Sequence, residues 1–406
     1  MGLSLDRRTF TIATGAAAVT AATASKAAAQ EASPAAEGGP PGLPPLPEGV
    51  TVVAEGLFSA RFIAFGDDGT MYVTDTGYGG DEVLNVGPPP GEEGTPAAEQ
   101  ATPVTDEGTP AAEEPPVTRG FTGQVVQVAT DGTQSVAVDG LASYSIGVGP
   151  HGIAVRDGLV YFAIGGAAPS VGIEPIAGEN GVHVFDPATS EVTQLAEFNT
   201  YEIENNPDGQ DVNPNLYGIS FGDSDGRLTV NDAGGNTTYS LDVETGEYQL
   251  RAVYPTLDVL VPDAGFEPRH VVPTGSAYMG TTLHTSFLSE FWPPDAPSIV
   301  TVAGDGDFAT FAPVVPGLSF VTSIAVGPDG LLYFCQLFDD PEGAPVGSVH
   351  RVVDGTPEVV VEGLVMPHGI AFDGDGNLFI TINTLMSGPG MPAAQVVRMD
   401  GVAPAM

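Results

Sequence analysis

The 406-residue sequence is poor in cysteine, lysine and tryptophan, with one of each. A single cysteine, Cys335, excludes an internal disulfide. It lies in an apolar run (Leu331–Gln336, LLYFCQ) and reads as buried core rather than as a nucleophile. Basic residues are scarce as well. Eleven Lys and Arg face 52 Asp and Glu, a net charge of -41. Such a surface repels nucleic-acid phosphates and anionic lipid, so neither is an expected partner. It suits solubility in a saline or acidic exterior. There is no Gly-x-Ser-x-Gly elbow, no Gly-Lys-Ser/Thr phosphate loop, no His-Glu-x-x-His and no Cys-x-x-Cys. No amphipathic helix is evident, and no stretch after the first 29 residues is long and apolar enough to span a membrane.

Met1–Ala29 reads as a targeting segment. Asp6-Arg7-Arg8-Thr9-Phe10 resembles the twin-arginine export motif, an apolar stretch follows, and Ala27-Ala28-Ala29 fits a cleavage site. The expected location is extracellular or periplasmic. Gln30–Gly49, rich in Pro, Gly and Ala, reads as a linker. Gly87–Thr118 is low-complexity, acidic and proline-rich, with GTPAAE at Gly94–Glu99 repeated at Gly108–Glu113. With few large apolar residues to bury, it reads as a disordered insertion.

The rest of the chain repeats one sentence. Arg61–Asp75 (RFIAFGDDGTMYVTD), His151–Ile164 (HGIAVRDGLVYFAI), Tyr217–Asp232 (YGISFGDSDGRLTVND), Thr322–Gln336 (TSIAVGPDGLLYFCQ) and Gly369–Ile382 (GIAFDGDGNLFITI) each hold a strand, a tight turn and a second strand. Asp-Gly between apolar runs is a strong hairpin signal, because glycine accepts the positive φ the turn needs. Arg269–Thr281 (RHVVPTGSAYMGT) reads as a degraded sixth copy, with Thr281 at its exit. Each copy is followed by a third and a fourth strand. The expectation is an all-β fold over residues 50–402, a six-bladed β-propeller of four-stranded antiparallel blades. The last copy has only three strands, and the orphan strand Val50–Leu57 is expected to supply its fourth and close the ring.

In that plan, residues starting the inner strands and residues leaving the second strands share the mouth of the central channel. These include Arg61, His151, Tyr217, Thr322 and His368, and Asp75, Asp232, Gln336 and Asn383. Convergence of polar groups in a concavity marks a candidate site. His151 and His368 each stand in Pro-His-Gly-Ile. With Asp75 they are candidate acid–base residues, or the motif is only how such blades begin. Arg61, Tyr217, Gln336 and Asn383 are candidate contacts for a small molecule. Asn205–Gly218 (NNPDGQDVNPNLYG) and Asn231–Asn236 (NDAGGN) form the densest oxygen clusters. Asp208, Asp211, Asp232 and Asn236 could bind calcium or another divalent cation, or only shape turns.

On these last two stretches the chain resembles the ScyD/ScyE family of exported β-propellers, and its blade starts resemble NHL-type repeats. The first resemblance, named for scytonemin pigment biosynthesis, implies an exported propeller of unassigned activity. The second implies relatives such as lactonase-like and lyase-like propellers, which hold a divalent metal at the channel mouth. Three functions remain open: a small-molecule-binding or scaffold propeller, a metal-dependent enzyme at the mouth, and a quinone-dependent sugar dehydrogenase. The last would need a basic cofactor pocket. Only eight arginines, and no lysine, follow the first 29 residues.

Overall fold

A computed structural model describes residues 44–84, 116–166, 169–222, 226–261, 265–288, 297–303, 309–340, 344–385 and 393–404. The targeting segment, most of the linker and residues 85–115 of the insertion lie outside them.

Six antiparallel blades succeed one another along the chain, five of four strands and the first with a short fifth, and a two-stranded hairpin, Leu257–Val261 with Gly265–Arg269, stands between the third and fourth in sequence. Blade 1 is built on Ala60–Phe65, Met71–Asp75, Thr118–Val128 and Gln134–Tyr144, with the short strand Glu82–Val83 added beside the third. Thr118, expected in the insertion, already belongs to this third strand. The inner strands of blades 2 to 6 are Pro150–Arg156, Leu216–Phe221, Pro273–Met279, Val321–Val326 and Ile370–Phe372. Val50–Leu57 pairs antiparallel with Ala394–Met399, the third strand of blade 6. The ring is therefore closed by strands from both ends of the chain, as the repeat count required.

The repeat pattern turns into packing in a simple way. Second strands such as Met71–Asp75, Leu228–Asp232 and Leu332–Gln336 are buried along their whole length, because both faces meet neighbouring blades. The core is divided into wedges between blades. Tyr333 and Cys335 of blade 5 pack with Ile380 and Val397 of blade 6, and Val73 of blade 1 packs with Phe379 and Val396. Cys335 is fully buried, and burial pushes its thiol pKa up, so it is an inert core side chain.

Two corrections to the sequence reading bear on the site. Thr281 lies in a turn, not at an exit: the second strand of blade 4 is Thr282–Phe287, and the inner strand starts at Pro273-Thr274-Gly275. That triplet matches Pro150-His151-Gly152 and Pro367-His368-Gly369. The second correction is a seven-residue helix, Asn199–Asn205, between blades 2 and 3. Phe198 anchors its start by stacking on Tyr248, centroids 4.1 Å apart, and Asn206 ends it in the left-handed conformation, φ 39°.

One side chain per blade ties each inner strand start to the next blade. Thr74 Oγ1 donates to the His151 carbonyl. His151 Nδ1 meets the Leu216 carbonyl at 3.0 Å. Asn231 Nδ2 donates to Thr274 O at 2.9 Å, and Thr274 Oγ1 donates to Val321 O at 2.7 Å. Thr322 Oγ1 donates to His368 O, and Thr381 Oγ1 to Arg61 O, both at 2.8 Å. Four of the accepting carbonyls, those of Arg61, His151, Thr274 and His368, belong to residues that the strand registers skip. Glycine makes the close approach possible: a Cβ at Gly369 would lie 2.1 Å from the Arg61 carbonyl oxygen.

Candidate functional site at the channel mouth

The ring brings Arg61, His151, Tyr217, Thr322 and His368 to one cavity of about 60 Å³, together with Asn215. Around these polar groups stands an apolar collar that includes Ile146, Val148, Val272, Leu288, Phe320, Leu337 and Leu385. The collar residues come from loops beyond the strand ends. Their sequence context carries no repeat signal, and the sequence reading missed them.

Arg61 is 3 % exposed. Its Nη2 donates to Gly147 O at 2.7 Å, while Nε and Nη1 have no partner. A buried guanidinium with open donors costs stability unless something accepts them. Burial lowers its pKa, opposed by the Tyr217 hydroxyl and Asp75. Tyr217 Oη lies 2.5 Å from His368 Nε2. Burial raises the Tyr217 pKa and lowers that of His368 well below the usual value, with Arg61 and His151 adding to the second effect. Both groups are then neutral at pH 7, and the tyrosine hydroxyl is the natural donor to Nε2. The proton of His368 is left on Nδ1, which has no partner. His151 Nδ1 donates to Leu216 O, its Nε2 lies 3.3 Å from Gly147 O with no proton to give in the neutral ring, and burial followed by Arg61 lowers its pKa to about 4. Asn215 adds one unpartnered acceptor, its Oδ1.

Other expected members of the mouth lie elsewhere. Asp75 is fully buried and consumed by structure: Ser59 N and Gly77 N donate to Oδ1, and Phe58 N and Gln124 Nε2 to Oδ2. It acts on Arg61 as a nearby charge and does not line the cavity. Gln336 ends the second strand of blade 5 and does not line it either. Asn383 faces a separate cleft with Leu46, Val52 and Gln395. His183 and His350 stack on Phe162 and Phe334 within their blades, as third-strand residues with a packing role.

The two oxygen-rich loops meet behind the mouth rather than in it. Asp208 Oδ2 accepts from Asn236 Nδ2 at 2.9 Å, and Asn236 Oδ1 accepts from Val272 N at 3.2 Å. Asp211 is half-buried, and its charge raises the Asp208 pKa, an effect smaller than burial. Asp232 Oδ1 accepts backbone N–H groups of Asn215, Gly234 and Gly235. Among the described residues, no three His, Cys, Asp or Glu side chains are placed to hold one metal ion. Arg61 puts a fixed positive charge beside His151 and His368, so the floor of the mouth does not fit a divalent cation.

No family model matches the chain, and no curated protein matches it. The likeness to solved structures is one of fold. A candidate gluconolactonase aligns with TM-score 0.51 and 11 % identity over 87 % of this chain and 94 % of that chain. A gluconolactonase of Xanthomonas campestris aligns with TM-score 0.48 and 14 % identity, covering 86 % of this chain and 89 % of its own. Regucalcin of Agrobacterium tumefaciens, a calcium-binding protein, gives 0.47 and 10 %, with coverage of 86 % and 94 %. At such identities a shared fold says nothing of chemistry, since propellers host many functions. No helix among the described residues is long and apolar enough to cross a membrane.

Proposed function

We propose that the protein is an exported, ScyD/ScyE-like propeller that binds a small organic molecule at the channel mouth through an oxygen acceptor, a carboxylate or a carbonyl. The observation that carries this reading is Arg61: a buried cation with two unpartnered donors beside a cavity. His368 Nδ1 adds a third donor. The floor thus offers more donors than acceptors, inside a chain of net charge -41. The collar suits an apolar body on the same ligand. Export rests on the Arg7-Arg8 segment, and the family likeness on Asn205–Gly218 and Asn231–Asn236.

Binding is favoured over acid–base catalysis by electrostatics. A general base works best with a pKa near the operating pH. Burial and Arg61 push both mouth histidines the other way. The test is calorimetric titration with propionate, propionamide and propylamine. Propionate or propionamide is expected to bind wild type, propylamine to fail, and Arg61→Met to lose the binding without loss of fold. Equal binding to wild type and Arg61→Met, or no binding of either oxygen-bearing probe, would overturn the reading.

A further inference from the structure

Directly behind the mouth wall, two carboxylates meet with no partner between them. Glu202, on the helix Asn199–Asn205, is 0 % exposed, and neither of its oxygens has a hydrogen-bond partner. Asp232 is also 0 % exposed, and its Oδ2 is unpartnered. Gly235 fixes their mutual position. A side-chain carbon at Gly235 would lie 3.2 Å from Glu202 Oε2 and 3.2 Å from Asp232 Oδ2. The two oxygens are therefore no farther apart than twice that distance. Two neutral oxygens add to the set: the hydroxyls of Thr237 and Tyr239 are buried and lie against each other beside the carboxylates. Tyr239 feels the charge of both carboxylates, and Asp208 acts on each of them.

The repeat supplies its own control. Asp75 and Asp232 occupy the same place in blades 1 and 3, the last residue of the second strand. Asp75 takes the incoming chain on both oxygens, Ser59 N on Oδ1 and Phe58 N on Oδ2, whereas Asp232 takes it on Oδ1 alone. In blade 1 the residue paired with Asp75 is Gln124, whose amide takes up Oδ2. In blade 3 the residue paired with Asp232 is Thr237, which has no amide to offer. Blade 3 thus lacks both donors to this oxygen and sets a second buried acid, Glu202, beside it. Leaving both charges bare in a low-dielectric interior is strongly unfavourable.

We infer that Glu202 and Asp232, with the hydroxyls of Thr237 and Tyr239, form a binding site for a hard cation of the calcium class. Carboxylate and hydroxyl oxygens are the ligands such ions take, at about 2.3–2.6 Å. The cation would brace the mouth wall, because Asn215, whose N–H donates to Asp232 Oδ1, and Ala233 both line the cavity. This set differs from the one expected from sequence. Asp208 and Asn236 are engaged with each other, and Glu202 replaces them.

The test uses the full-length folded protein after chelation. Terbium, a luminescent stand-in for calcium, should show tyrosine-sensitised emission because Tyr239 adjoins the site, and calcium should compete it away. Calcium should also raise the melting temperature. Glu202→Gln should lose both responses while melting no lower than chelated wild type, since an amide at this position can donate to Asp232 Oδ2. Thr237→Gln, which restores the blade 1 arrangement, should lose them as well, and Asp211→Asn should keep them. If wild type gives no calcium-competed emission, or if Glu202→Gln and Thr237→Gln retain it, the site is refuted.

Discussion

Acidification should destabilise the fold through His151, by an amount the structure allows one to work out. The ring is 1 % exposed, and its pKa falls to about 4 from a free value of 6.5, first through burial and then through Arg61. A histidine whose folded pKa is depressed binds its proton in the unfolded chain first. Between pH 6.5 and 4 the unfolded state therefore holds one more proton than the folded state, and stability falls as pH falls. The slope is about 1.4 kcal/mol per pH unit, so the step from pH 6.5 to 5 costs about 2 kcal/mol. Other groups titrate in the same range. Burial and the neighbouring charges of Asp232 and Asp208 raise Glu202 to about 9, which gives the opposite slope above its unfolded value. A difference measurement removes them. His151→Asn keeps a donor for Leu216 O and loses the titration. Urea unfolding followed by circular dichroism, at half-unit steps from pH 7.5 to 5, should show wild type losing about 2 kcal/mol more than the variant. Parallel curves for the two proteins would refute both the buried neutral histidine and the role given to Arg61.

Other expectations follow from the ring. Removing Val50–Leu57 leaves Ala394–Met399 as an open edge and should abolish cooperative unfolding as seen by calorimetry. Gly369→Ala drives a Cβ to 2.1 Å from the Arg61 carbonyl oxygen and should cost about 3 kcal/mol in chemical denaturation. Leu84 N donates to Val117 O at 2.9 Å, so the chain leaves and re-enters blade 1 at adjacent points. Replacing residues 86–115 by a short turn should leave the melting temperature unchanged.

The blades were legible because five of six copies keep a turn signal between two apolar runs. The closing strand was legible from arithmetic, three strands at one end and one at the other. Blade 4 was misread for a physical reason. Its turn, Gly280-Thr281, lacks the Asp-Gly pair, and the triplet Pro273-Thr274-Gly275 carries the alignment instead. Glu202 was missed because a seven-residue helix is too short to show a period, so nothing marked its side chain as buried. Half of the mouth was legible. Equivalent positions in a repeat give equivalent backbone places, and Arg61, His151, Tyr217 and His368 do share the cavity. What repeat position does not give is whether a polar atom is already spent. Asp75 is spent on four donors, while Asp232 at the same place keeps one oxygen open.

That distinction also sorts the mouth residues by what they can change without loss of the fold. The six inter-blade links end on backbone carbonyls, including those of Arg61, His151, Thr274 and His368. Any side chain could stand on those carbonyls. The donors are different, since Thr74, Asn231, Thr322 and Thr381 each contribute a side-chain atom that the ring needs. Arg61, Tyr217 and His368 are receivers or bystanders in this scheme, so their side chains are released for a ligand. Thr322 and Thr274 line the ring as donors and are bound to it. His151 and Thr322 are on both sides, giving Nδ1 to Leu216 and Oγ1 to His368 while lining the cavity. A ligand-binding surface can therefore diverge at three positions of this ring with little effect on its closure. His151 and Thr322 have to remain residues that donate from the same places.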